Sequence, residues 1–311
     1  MFFLRASYNL LILLAVPVVA GAAESPSLVE RLGFAPDTKV LIVNADDFGM
    51  NHATNVGTIK ALKAGGVSSA TIMVCCPWFP EAAEFARENR WARLGVHTVL
   101  TSEWEVYKWG PVLGCGRVPS LCTDRGYMHS DVHWVYLHAE IEEVEREVRA
   151  QIDKALAAGI DVTHIDSHIG TMQYAIGYHE RYIRIAADYE LPCRIAGRGL
   201  MQRYGLGPLI ELADELGVLH PDILRMGEPA TIEDTERYWK EECLAQLEPG
   251  KVTEVYIHCG QLTPEMHATT GSAARRTADT EFFSSPDTLE FIAEQGIELI
   301  SYWELRHLQR T

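Results

Sequence analysis

The stretch KVLIVNADDFGMN, Lys39 to Asn51, decides how this chain is read. Val40 to Val43 are uninterrupted apolar residues, as in a strand covered on both faces of a parallel sheet. The strand then finishes on two adjacent carboxylates, Asp46 and Asp47. Neighbouring carboxylates repel each other and resist dehydration. Asp is common in surface turns and helix caps, so that ordinary reading holds unless something else in the chain requires two acids at this point.

Beyond this strand the sequence alternates. HATNVGTIKALKAGG reads as a helix ending on glycines, VSSATIMVCC as a strand, FPEAAEFARENR as a helix and RLGVHTVL as a third strand. After a long aperiodic stretch from Thr101 to Trp134, AEIEEVEREVRAQIDKALAAG has one apolar and one charged face. VTHIDSH is then a strand, CRIAG a short strand, TIEDTERYWKEECLAQL a helix, KVTEVYIHCG a strand, SPDTLEFIAEQG a helix and IELISYWEL the last strand. Alternating β and α units imply a parallel sheet. Seven or eight of them predict an α/β fold of the TIM-like (β/α) barrel type, distorted or seven-stranded, over an open doubly wound sheet. No GxGxxG follows the first strand, which counts against a dinucleotide fold.

The start of the chain has a different character. Arg5, the apolar run LLILLAVPVVA and the small residues GAAES have the layout of a secretory signal peptide. The run is short of the ~20 residues of a membrane span. The expected division is a signal peptide over 1–22, an N-terminal extension over 23–38 and one barrel domain over 39–311, with export to the periplasm or exterior and no membrane attachment after cleavage. A formal net charge of −16 argues against nucleic acid as a partner. Seven cysteines include Cys115 and Cys122, which flank a turn-rich stretch and could pair in an exported protein, while Cys75 and Cys76 lie in an apolar run.

In a barrel the carboxyl ends of the strands share one face, where catalytic groups gather. The first strand ends in Asp46 and Asp47, the third carries His97, the THIDSH strand carries His164, Asp166 and His168, and a later strand ends in His258. A lone histidine at a strand end is usually a hydrogen-bonded core or rim residue; several that converge point to chemistry. His164, Asp166 and His168 are spaced by two and share one face. Imidazoles with a carboxylate suit a divalent cation, and a cation beside Asp46 and Asp47 makes two ionised neighbours tolerable.

LIVNADDFG, LGVHTVLT and THIDSHIG, in this order, resemble the YdjC-like carbohydrate deacetylases, a family that includes chitooligosaccharide deacetylases. The resemblance runs from about Lys39 nearly to the carboxyl end. It implies a barrel related to the polysaccharide deacetylases and a hydrolase that removes acetyl groups from N-acetylated oligosaccharides with one divalent metal ion, magnesium or zinc. It further implies that Asp47, His97 and His168 hold the metal, that Asp46 is the general base and that His258 matches a family histidine motif; as a mechanism, a protonated His258 would give a proton to the leaving amine. Here the His258 motif reads IHCG, with Cys259 where the family has proline. In RRTADTEF, Arg276 and Asp279 match a family segment and are candidate substrate contacts. Trp104 and Trp109, in the long loop, are candidates for stacking on sugar rings. An acetylated oligosaccharide is the expected partner, with a homodimer open as an assembly. Two rivals stand beside this: another metal-dependent ester or phosphoester hydrolase on the same barrel, and an inactive sugar-binding relative.

Overall fold

A computed structural model describes residues 25–227 and 229–311. The signal-peptide expectation over 1–22 lies outside the described residues. Seven strands form one parallel sheet: β1 Lys39–Phe48, β2 Ser69–Ile72, β3 Leu94–Thr98, β4 Val162–Ser167, β5 Ile223–Met226, β6 Val252–His258 and β7 Ile297–Ile300. Their order is β4-β3-β2-β1-β6-β5, and β7 also pairs with β1. The arrangement is barrel-like. Between β4 and β5 the wall is an irregular segment, in which Cys193 bridges to Ile165 and its N–H donates to the Leu219 carbonyl at 3.0 Å.

Strand alternation sorts β1 by function. Leu41, Val43 and Ala45 face the helices and join the main apolar core. Val40 and Ile42 face the other way, against Val252, Ile300, Tyr302, Leu305 and Val29 of the short helix Leu28–Arg31. Asn44 and Asp46 continue that inward row toward the carboxyl end, fully buried among polar partners. The interior is therefore apolar at the amino ends of the strands and polar at the carboxyl ends. One glycine is dictated here: a Cβ on Gly95 would lie 2.5 Å from Nδ1 of the inward His164 ring.

β1 has an uneven set of partners. β6 pairs with Val40–Asp46 on one side. On the other, β7 pairs with Lys39–Ile42 and β2 with the part from Asn44 onward. The next helix, His52–Ala64, starts on an Asn51 cap that accepts from the Thr54 N–H at 2.8 Å and stops at Gly65, φ +89°.

Several elements differ from expectation, among them β5, which the sequence pattern did not show. The last strand stops at Ile300. SYWEL begins the helix Tyr302–Gln309, because Ser301 and Glu304 form a capping box. CRIAG contributes a single bridge rather than a strand. The expected helix over 231–247 is broken into Thr235–Arg237, a π-helical turn Tyr238–Cys243 and a 3₁₀ turn Leu244–Gln246. The long stretch after β3 contains the helix Val132–His138 and is tied down by a Cys115–Cys122 disulfide and by buried Glu147, which accepts from the Val112 and Leu113 N–H groups at 2.7 and 3.0 Å. Among the described residues no helix is long and apolar enough to cross a membrane.

Candidate active site

Simple alternation would turn Asp47 away from Asp46. The β1–β2 register shifts between Ala45 and Phe48, and Asp47 adopts φ +69°. Asp is among the few residues that tolerate this left-handed region. The resulting bulge re-aims a side chain, as bulges beside active sites do, and delivers both carboxylates to the carboxyl end of the sheet. His97 comes from β3, and His168 follows directly on β4.

These side chains converge. His97 Nε2 and His168 Nδ1 are 3.2 Å apart, and each lies 3.3 Å from Oδ1 of Asp47. Ligand atoms around a tetrahedral divalent ion, with bonds of about 2.0–2.1 Å, are separated by about 3.3 Å. Asp47 Oδ1 is buried and has no hydrogen-bond partner among the described residues. A carboxylate oxygen is not left dry and unpaired without a reason, and a cation shared with the two imidazoles supplies one.

The far side of each imidazole is held by a carboxylate. His97 Nδ1 donates to Asp166 Oδ1 at 2.6 Å, and His168 Nε2 donates to Glu103 Oε1 at 2.8 Å. An ionised carboxylate can only accept, so those nitrogens carry the hydrogens and the facing nitrogens are free to ligate. Asp166 is fixed in turn by Thr71 Oγ1 at 2.8 Å and by Arg194 at 3.1 Å.

Asp46 has a different setting. Arg194 grips it with two bonds, of 2.8 and 2.7 Å, and Asn44 Nδ2 donates to it at 2.9 Å. Arg194 also donates to Glu254 at 2.8 Å, with its guanidinium 4.5 Å from the Tyr256 ring centre. Burial alone would raise the Asp46 pKa, but the Arg194 charge holds it below the usual carboxylate range. Asp47 is likewise held well down, by Arg276, against the effect of burial. Burial works to lower both histidines, yet Asp166 and Asp46 lift His97 well above its ordinary value, and Glu103 with Asp47 raises His168 to about 9.

His258 Nε2 lies 4.0 Å from Asp47 Oδ2. Dense surroundings push its pKa down to about 4 against the pull of Asp47. The 36% of the side chain open to solvent limits that desolvation. Either way the imidazole is neutral at pH 7.

The remaining candidates separate. Arg276 Nη2 donates to Asp47 Oδ2 at 2.7 Å, and its guanidinium is 5.7 Å from the half-buried Trp104 ring centre. Asp279 is not part of the cluster. It is buried, accepting from Trp239 Nε1 at 3.0 Å and from Arg275 Nε at 3.1 Å. Trp109 is also buried, donating to the Thr101 carbonyl at 2.8 Å with its ring edge-on to His168, so it walls the site and offers no free face. His164 stacks on Tyr302 at 3.7 Å and bonds to Asn44, which makes it a core histidine. Four residues of the network were missing from the sequence reading: Asn44, Thr71, Glu103 and Arg194. Only Asn44 carried a local signal, being two residues from Asp46 on the same strand.

The profile of the YdjC-like protein family matches residues 40–294. A carbohydrate deacetylase of Thermus thermophilus is 33% identical over 86% of this chain and 94% of its own length. A carbohydrate deacetylase of Enterococcus faecalis is 31% identical over 86% of this chain and 98% of its own. A crystal structure from Enterococcus faecalis V583, provisionally described as a cellobiose-phosphate cleavage protein, superposes with a TM-score of 0.74 at 29% identity, covering 86% of this chain and 99% of that one. The matched span runs from the buried start of β1 past Arg276, taking in both aspartates and all three histidines of the cluster, and the chain belongs to the YdjC-like protein family.

Proposed function

We propose that this chain is a metal-dependent hydrolase that removes acetyl groups from N-acetylated oligosaccharides. The observation that carries the reading is the unpartnered Asp47 Oδ1, 3.3 Å from two imidazole nitrogens whose other sides are fixed by carboxylates. Asp47, His97 and His168 would hold one divalent ion. Two imidazoles and one carboxylate favour zinc over magnesium. Such an ion polarises an acetyl carbonyl and makes a bound water more acidic. The two carbohydrate deacetylases similar to this chain support a carbohydrate substrate.

Asp46 takes the proton from the attacking water. A carboxylate has about four lone-pair directions. Arg194 and Asn44 occupy three on Asp46, two of them on Oδ1, which leaves one on Oδ2. Arg194 keeps the group ionised and fixed in direction. His258 approaches Asp47 from the open side of the cleft and serves the leaving amine. It is neutral at rest; as negative charge develops beside it during attack it takes up one proton from solvent through its exposed side and passes that proton to the departing amine, while Asp46 keeps the proton removed from water and later returns it to solvent. The layout N-terminal to the described residues supports export, as does the Cys115–Cys122 disulfide.

The test is acetate release from N-acetylated oligosaccharides by the metal-loaded protein, with metal content measured alongside. Asp47→Asn loses metal and activity together. Asp46→Asn keeps the metal and loses turnover. Full activity in Asp46→Asn removes the base assignment, and activity unaffected by chelation removes the metal.

A further inference from the structure

The turn that follows His168 is built at a cost. Ile169 has φ +42° and ψ +26°, a region in which a β-branched residue is strained by about 1–3 kcal/mol. The surroundings hold it there. The Thr171 N–H and hydroxyl both donate to the His168 carbonyl at 3.1 Å, the Met172 N–H donates to Ser167 Oγ at 2.9 Å, and the Tyr136 hydroxyl donates to the Thr171 carbonyl at 2.7 Å. If the turn served only to aim His168, glycine or asparagine would meet the need without strain. Ile169 is instead 41% exposed, so burial does not repay its side chain either. Beside it, Tyr174 is 76% exposed, and its ring lies over Gly170, where a Cβ would come within 2.6 Å of it. An exposed, strained isoleucine and, five residues on, an exposed tyrosine whose ring covers the intervening Gly170 thus stand together just after His168.

We infer that Ile169 and Tyr174 form the substrate platform of this site, receiving the apolar C–H face of the sugar ring next to the acetamido group under attack. The inference rests on the deacetylase reading above and replaces Trp109, which is buried, as the aromatic contact. Ring stacking of this kind uses the apolar area of an aromatic face, and Ile169 extends that area toward His168.

The experiment uses the metal-loaded full chain and an N-acetylglucosamine tetramer. Binding is measured by calorimetry in the Asp46→Asn background, and KM and kcat in the wild-type background. Tyr174→Ala raises Kd and KM about tenfold, with the loss falling on KM more than on kcat, and Tyr174→Phe restores both. Ile169→Gly raises Kd about threefold or more without lowering the unfolding temperature, because glycine is unstrained there. Tetramer binding that is unchanged in Tyr174→Ala and Ile169→Gly overturns the platform and leaves the deacetylase reading intact. Neither binding nor acetate release in the unmutated protein overturns both.

Discussion

Arg194→Met isolates the energetics of the polar interior. Arg194 is buried and neutralises Asp46 through two hydrogen bonds, Glu254 through one and Asp166 at 3.1 Å. Methionine keeps much of the volume and removes the charge, leaving Asp46 and Glu254 buried without the cation and Asp166 with His97 alone. Removing one partner from a buried ion pair costs about 3–5 kcal/mol, a large share of the ~5–15 kcal/mol that holds an ordinary domain together. The sign with pH follows from the groups left behind. In the wild type Asp46 has a depressed folded pKa, so its contribution to stability is present above the unfolded carboxylate value and lost only as pH falls below it. In the variant the orphaned carboxylates prefer a proton when folded, so their folded pKa values rise. The penalty is then largest at high pH and shrinks as pH falls toward those raised values. Urea unfolding at pH 8 and at pH 5.5 should give a loss of about 3–5 kcal/mol at the higher pH and a smaller loss at the lower. A loss below about 1 kcal/mol, or one equal at both pH values, refutes the assignment of Arg194 as the charge that makes these carboxylates tolerable.

Four further outcomes are expected. Glu103→Gln weakens metal binding by about 10–100-fold, as loss of a carboxylate behind a ligating imidazole does; competition against a chelator measures it, and unchanged affinity removes Glu103 from the site. Metal uptake displaces protons from imidazoles whose pKa values are raised, His168 to about 9, so below that pH affinity falls by about tenfold per pH unit for each proton displaced; binding heats that do not vary with buffer ionisation enthalpy contradict this. Replacing Cys115 and Cys122 by Ser, seven residues apart, lowers stability by about 2–3 kcal/mol in the chain-entropy account, read from unfolding with and without reductant. Trp109→Ala empties a buried site and costs about 3–5 kcal/mol; a raised KM with no loss of stability would instead make Trp109 a substrate contact.

Much of the site was legible because it follows from strand geometry. Period-two spacing puts His164, Asp166 and His168 on one face, and the barrel rule gathers strand ends, so the convergence of Asp46, His97, His168 and His258 could be read from their places in the sequence. Asp47 could be suspected but not aimed, since its inward turn depends on a bulge against β2. Arg194 and Glu103 were invisible for a related reason. Each acts through tertiary contacts from a short irregular segment or loop, and an isolated Arg or Glu there has the same local pattern as a solvated one. Asp279 and Trp109 show the converse, polar and aromatic residues near the site in sequence whose partners are framework atoms. In the fold, β5 was missed because its four residues are half-buried or exposed and show no alternation. The end of β7 was legible in principle: Ser301 and Glu304 have capping-box spacing, but the apolar residues around them read as a continuing strand.

The divided partnership of β1 has a kinetic consequence. Lys39–Ile42 pair with Ile297–Ile300, so the first strand of the sheet depends on the last. These residues are separated by nearly the whole described chain, and closing so long a loop must precede the contacts that reward it. During synthesis, β2 and β3 emerge well before β7, and the first half of β1 keeps an open edge until the final turn of chain arrives. Such a topology folds late and as a unit. The nascent chain therefore remains loosely structured until β7 has been made, and the amino-terminal half of β1 is the last part of the sheet to gain its second neighbour.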